Sequence, residues 1–263
     1  MQAQGLATGW LTGTSTDCRP GGVPPSRPWR MVLLGPPGVG KGTQAALIEA
    51  AIDACHLSTG DLFRAAAASH VPPSPAMQAA LAGIARGELA SDGMVIALLR
   101  ERVHCLTCPH GFLLDGFPRT APQATVLEAL LDEASVALDG AVYLQAPDAV
   151  IIERLSGRRV CRTCRRSHHL DHHPPCRSGC CDACGGQLYQ RDDDVPAAIA
   201  VRLAHYARTT PALLAFYQQR GLLRTVDATG TPHDVFARAE TTIGWRLGVQ
   251  PPVTPARHPA QDA

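Results

Sequence analysis

Two stretches of this 263-residue sequence combine residue types and spacings that could do chemistry. In the first, "GPPGVGKGT" (Gly35 to Thr43), glycines recur at Gly35, Gly38, Gly40 and Gly42 around a single lysine. Glycines let successive backbone N–H groups turn inward around phosphate oxygens, and a following helix N-terminus adds a favourable dipole. Lys41 is placed to reach the β- and γ-phosphates of a nucleotide. The strict phosphate-loop pattern wants Ser or Thr straight after the lysine. Here Gly42 stands in that place and Thr43 follows it, so the usual metal-binding hydroxyl is displaced by one residue. A strand pattern before the loop and a helical one after it supply the required context, and the stretch predicts nucleotide binding.

The second stretch, "CRTCRRSHHLDHHPPCRSGCCDACGG" (residues 161 to 186), packs six cysteines and four histidines between Cys161 and Cys184. Cys161-x-x-Cys164 and Cys181-x-x-Cys184 are separated by sixteen residues, the arithmetic of a structural Zn²⁺ site. Four thiolates close a tetrahedron and leave no position for substrate, so such a metal is architectural. Cys181 is favoured over its neighbour Cys180 because it alone keeps the two-residue spacing to Cys184, and Cys176 is a further alternative ligand. His168, His169, His172 and His173 read as exposed loop residues rather than ligands of a second ion. Cys105-x-x-Cys108 has no second pair nearby and reads as incidental.

The elements that must hold these residues follow from apolar patterning. "RMVLLG", "GFLLDGF", "GAVYLQA" and "LLRTVDAT" are continuous apolar strands, separated by helical patterns over 41–52, 76–86, 92–104, 121–133, 148–156, 196–219 and 233–246. Buried strands alternating with helices give an α/β fold, a parallel sheet covered on both faces. Residues 1–30 hold five glycines and four prolines and read as a disordered extension, with Met31 at the head of the first strand. Residues 247–263 hold four prolines and read as a disordered tail, which leaves 31–246 as the folded domain. No apolar run approaches the roughly 20 residues of a membrane span. The first thirty residues lack the apolar core of a signal peptide, so a cytoplasmic location is the simplest expectation. Ten cysteines are too sparse for a disulfide scaffold. A net charge of +1 and an aromatic share of 5% argue against a nucleic-acid-binding surface.

"GPPGVGKGTQ", "STGDLFR", "GELASD", "GFLLDGFPRTAPQA", "GRRVC", "QRDDD" and "RLAHYARTTPAL" occur in the order and spacing of adenylate kinases. The resemblance runs from about Arg30 to Leu247, and "GKGT" is itself how that family's phosphate loop reads. It implies phosphoryl transfer from ATP to AMP with Mg²⁺, a reaction that needs alignment and charge neutralisation more than covalent help. By the same resemblance Arg64 and Arg119 fork onto the acceptor phosphate, while Arg154, Arg158, Arg191 and Arg202 close around the donor and the transferring group. Thr59, Gly87, Leu89, Ala90, Gly116 and Gln123 line the AMP site, which Arg191 and Arg202 also reach. Asp115 holds Mg²⁺ through waters. The family pattern divides the domain into an acceptor-binding segment, 58–90, and a zinc-stabilised lid, 157–194, that carries the cysteine cluster. Asp194 stands before "VPAA", where it could cap a helix. Two departures concern the acceptor side: Ala90 trims the apolar contact to the base, and the prolines of "SHVPPSPA" break a helix. The resemblance implies small-molecule partners (ATP, AMP, ADP), no nucleic acid, no membrane, and a monomer. Rival readings are a kinase for UMP or CMP or with a GTP donor, and a P-loop ATPase with a nucleic-acid-binding zinc module.

Overall fold

A computed structural model of the chain describes residues 25–68, 74–85, 91–172 and 174–244. Its centre is a five-stranded sheet in the order β2-β3-β1-β4-β8, with every pairing parallel. The strands are β1 (Trp29–Leu34), β2 (Cys55–Ser58), β3 (Gly111–Asp115), β4 (Gly140–Gln145) and β8 (Leu223–Asp227). Parallel strands need crossovers, and helices supply them: α1 (Lys41–Ile52), α2 (Thr59–Ala68), α3 (Pro75–Ala85), α4 (Asp92–Arg100), α5 (Val103–Leu106), α6 (Ala121–Glu133), α7 (Asp148–Gly157), α8 (Pro196–Gln219) and α9 (Pro232–Ile243). Side chains alternate across each strand. Val32, Leu34, Phe112, Leu114 and Ala141 therefore enter one core, and Trp29, Met31, Leu33, Leu113, Val142 and Leu144 the other. Each large side chain buried in this way contributes roughly 1.5–3 kcal/mol. The result is a sheet covered on both faces, as the patterning requires.

Several expectations need correction. A fifth strand, β2, carries the polar His56 and Ser58 and lies at the sheet edge. The fold starts before Met31: Trp29 is 5% exposed and opens β1. Arg27 stacks on its ring at 4.1 Å and bonds to Asp139 at 3.3 Å, so a 1–30 extension is drawn too long. The helix expected over 92–104 ends at Arg100, and a separate turn of helix follows at Val103. α3 starts at Pro75, whose missing N–H costs nothing at the first helical position, and the Ser74 hydroxyl accepts from the Met77 amide at 3.3 Å. Residues 245–263 and 1–24 lie outside the described residues.

Between α7 and α8 projects a small antiparallel sheet in the order β6-β5-β7: β5 (Arg158–Cys161), β6 (Ser167–His169) and β7 (Leu188–Tyr189). A 3-10 turn at Asp192–Asp194 leads from it into α8. No helix among the described residues is long and apolar enough to cross a membrane.

Candidate active site

Strand register assembles the site at the C-terminal edge of the sheet. Asp115 ends β3, with Leu33 of β1 on one side and Ser58 of β2 on the other. The chain leaving β1 becomes the Gly35–Gly40 loop, and the chain leaving β2 becomes α2 with Thr59 and Arg64. Crevices at this edge are where open parallel sheets hold ligands.

The loop's shape is enforced from below. A Cβ on Gly35, at φ +145, would lie 2.7 Å from the Leu144 carbonyl oxygen. Gly40 ends the loop at φ 104 and starts α1. At Gly42, by contrast, a Cβ meets nothing within 4 Å, and Thr43 is exposed beside it. Lys41 donates back to the carbonyls of Gly35 (2.8 Å) and Pro36 (3.0 Å). Burial makes its ammonium costly and lowers its pKa to about 8. Asp115 opposes that shift, and Arg119, Arg202 and Arg158 reinforce it. Arg202 likewise feels Arg158 and Arg119, and Arg191 feels Arg158 and Arg64.

Carboxylates hold this crowd of like charge. Asp194, 0% exposed, receives Arg158 through both oxygens at 2.7 and 2.5 Å and lies 3.6 Å from Arg202. Asp193 pairs with Arg191 at 3.1 Å and with Arg202 at 2.9 Å. A capping role for Asp194 is therefore incorrect: Val195 is the N-cap residue of α8 and makes no side-chain cap bond, while Asp194 turns inward to the arginines. His56, unmarked by any motif, contacts Asp115 at 3.6 Å. Burial alone would raise Asp115, but His56 and Lys41 outweigh it and hold the carboxyl below the usual range. No local signal marked His56, because β2 itself becomes a strand only through its pairing with β3.

On the acceptor side, Arg119 donates from Nε to the Gly116 carbonyl at 2.8 Å, and its own amide donates to Gln123 Oε1 at 2.7 Å. Thr59 Oγ1 donates to the Asp115 carbonyl at 3.3 Å. A Cβ on Gly116 would lie 2.5 Å from that hydroxyl, so a side chain there would displace Thr59. Arg64 pairs with Asp61 within α2. Gly87, Leu89 and Ala90 lie outside the described residues. On the donor side, Arg154 donates to the carbonyls of Val39 (3.1 Å) and Gly230 (3.1 Å), tying α7 to the loop. A cavity of about 490 Å³ is lined by Gln145, Ala146, Pro147, Thr225, Asp227 and Thr229, at the ends of β4 and β8.

The lid sheet carries the cysteines. The Sγ atoms of Cys161, Cys164, Cys181 and Cys184 all lie within 4.8 Å of one another, with 161–184 and 164–181 at 3.5 Å. Four sulfurs at ~2.3 Å from one tetrahedral ion would sit about 3.8 Å apart, so this donor set fits a structural metal. The two turns are built alike. Arg165 at φ 62 and Gly185 at φ 71 take the left-handed conformation after the second cysteine of each pair. Their amides return to the carbonyls of Cys161 (3.1 Å) and Cys181 (2.8 Å). Neither Cys180 nor Cys176 belongs to the cluster. The expectation of exposed histidines fails for His168, which is 3% exposed, and for His169, which is half-buried. His172 is exposed and bonds to Glu153 at 3.0 Å, and His173 lies outside the described residues. Cys105 and Cys108 are both buried in the main core and stand apart from the four-sulfur cluster.

A glycine-rich loop ending in a half-buried lysine, a strand-end carboxylate and a group of arginines at one sheet edge define a P-loop phosphotransferase. The family model for adenylate kinase matches residues 33–222. The adenylate kinase of Carboxydothermus hydrogenoformans is 44% identical over 214 residues, covering 81% of this chain and 99% of its own length. Those of Methanocella arvoryzae and a Geobacillus species are each 42% identical, covering 81% of this chain and 98% of their own lengths. The chain belongs to the adenylate kinase family.

Proposed function

We propose that this cleft runs the reversible transfer ATP + AMP ⇌ 2 ADP, with the labour divided as follows. The loop amides and Lys41 hold the donor's phosphates. Arg119 and Arg64 hold the acceptor phosphate, and Arg158, Arg191 and Arg202 neutralise the charge spread over the moving phosphoryl group. Arg154 and the cavity at the ends of β4 and β8 take the donor base, while Thr59 and Gln123 face the acceptor base. The observation that carries this reading is the convergence of Arg158, Arg191 and Arg202 on Asp193 and Asp194, in the same cleft as Lys41 and Arg119. So many cations in one cleft are unfavourable without a polyanion. Asp193 and Asp194 keep the arginines in place until phosphate oxygens compete for them.

Asp115, ionised and at the strand end, would hold Mg²⁺ through waters, and that ion supplies further neutralisation of phosphate charge. Cys161, Cys164, Cys181 and Cys184 would hold one Zn²⁺ that substitutes for a hydrophobic core in the small lid. Residues 58–90 and 157–194 would then be the parts that close over acceptor and donor.

The test follows the phosphorus atom. With ATP labelled on its γ-phosphate, the label must appear as the β-phosphate of ADP made from AMP. Label appearing only as inorganic phosphate would refute the proposal.

A further inference from the structure

Outside the cleft and the lid, two sulfurs meet. Cys55 Sγ and Cys108 Sγ are 3.3 Å apart in the main core, with residues 2% and 4% exposed. Cys55 opens β2, opposite Phe112 of β3. Cys108 lies in the turn before β3, and that turn is fixed by the Gly111 amide donating to the Cys108 carbonyl at 2.9 Å. The two positions are 53 apart in sequence. Everything between them, from His56 to Thr107, contains α2, α3, α4 and α5. A bond between these sulfurs would close the root of the whole acceptor-side insert. Cys108 is one residue from the exposed Thr107 and one from the exposed Pro109. Small oxidants therefore have the shorter route to Cys108, with Cys55 behind it.

We propose that Cys55 and Cys108 form an oxidative modification site: a peroxide converts them into a disulfide that staples the acceptor insert at its base. A peroxide oxygen is first transferred to the Cys108 sulfur, giving a sulfenic acid, and the other peroxide oxygen leaves as water with the Cys108 proton. The Cys55 sulfur then attacks that sulfur, the S–S bond forms, and the hydroxyl leaves as water with the Cys55 proton. In sum two thiols lose two electrons and two protons, and one peroxide becomes two waters. Cys105 competes by sequence, since it forms a C-x-x-C pair with Cys108, but its sulfur is directed to His104 Nε2 at 3.4 Å. Tethering a loop of this length removes unfolded-state entropy, which corresponds to a rise in Tm on the order of 5–10 °C. The cross-link joins points that are already neighbours, so it resists unfolding of the insert without pulling on the cleft.

The experiment uses the full chain with zinc bound, treated with hydrogen peroxide, then alkylated and digested for mass mapping. A linked Cys55–Cys108 peptide, two hydrogens lighter than the pair and abolished by dithiothreitol, is expected, together with the rise in Tm. Cys105→Ala should keep both effects and Cys108→Ala should lose both. Alkylation of Cys55 and Cys108 in the unfolded, peroxide-treated protein would overturn the proposal. So would a Cys105–Cys108 link in its place. The mapping on the unmutated chain decides the matter even where a variant fails to fold, and it is independent of which nucleotides the cleft accepts.

Discussion

If ATP phosphates settle beside Lys41, an amine that burial has weakened must regain its proton. Its pKa lies at about 8 instead of 10.5, chiefly through burial. Without nucleotide, about one Lys41 in ten is uncharged at pH 7, about half at pH 8 and about nine in ten at pH 9. Phosphate oxygens at the loop would return the pKa toward its ordinary value, because an opposite charge favours the ammonium. ATP binding should therefore take up about 0.1, 0.5 and 0.9 protons at those three pH values. Calorimetric titration in buffers of different ionisation enthalpy reads this number directly. Lys41→Met should remove the uptake, and Lys41→Arg should also remove it while retaining the charge. The same shift has a stability consequence whose sign is fixed. The folded pKa is lower than the unfolded one, so between about pH 8 and 10.5 the unfolded chain binds more protons. Unfolding free energy should then rise with pH across that window relative to Lys41→Met. Proton uptake at pH 8 that persists unchanged in Lys41→Met would refute the reasoning.

Other consequences are as specific. Lys41→Met should lower kcat on the order of 10³-fold, read in the direction of ADP formation. Arg119→Ala should raise the KM for AMP and lower kcat together, because it acts on a phosphate that must be aligned, and unchanged AMP kinetics would remove it from the site. Asp194→Ala leaves the half-buried Arg158 without its partner and should cost about 3–5 kcal/mol in a denaturant melt. Gly186→Ala puts a methyl group 2.9 Å from Cys161 Sγ and 2.6 Å from Thr163 Oγ1, so metal analysis should show weaker zinc retention and the lid should melt earlier. Cys161→Ser should act in the same direction, with activity lost mainly near the lowered Tm. Removing residues 2–30 takes away Trp29, which is 5% exposed, and should lower Tm by several degrees.

What sequence could and could not reveal divides along physical lines. The phosphate loop, the C-x-x-C pairs and the long apolar strands are local signals: the residues that make them adjoin in sequence. β2 escaped because "CHLS" is four residues long and half polar, and only its pairing with β3 makes it a strand. Asp194 looked like a cap because the competition is tertiary, since Arg158, 36 positions away, claims both its oxygens. His168 looked exposed because a run of histidines is hydrophilic, yet the lid folds it against the knuckle, 3.8 Å from Asp182. Trp29 belonged to the fold although Pro and Gly surround it before the strand, and its partner Gly111 lies far away in sequence. The contact of Cys55 with Cys108 spans an entire insert and left no local trace.

A coupled spectrophotometric assay across AMP, CMP, UMP and GMP, each with ATP and Mg²⁺, bears most directly on the central claim. The cleft described here predicts ADP formation that is fastest with AMP and lost in both Lys41→Met and Arg119→Ala. ATP turnover that proceeds without any monophosphate, or that survives both substitutions, would contradict it.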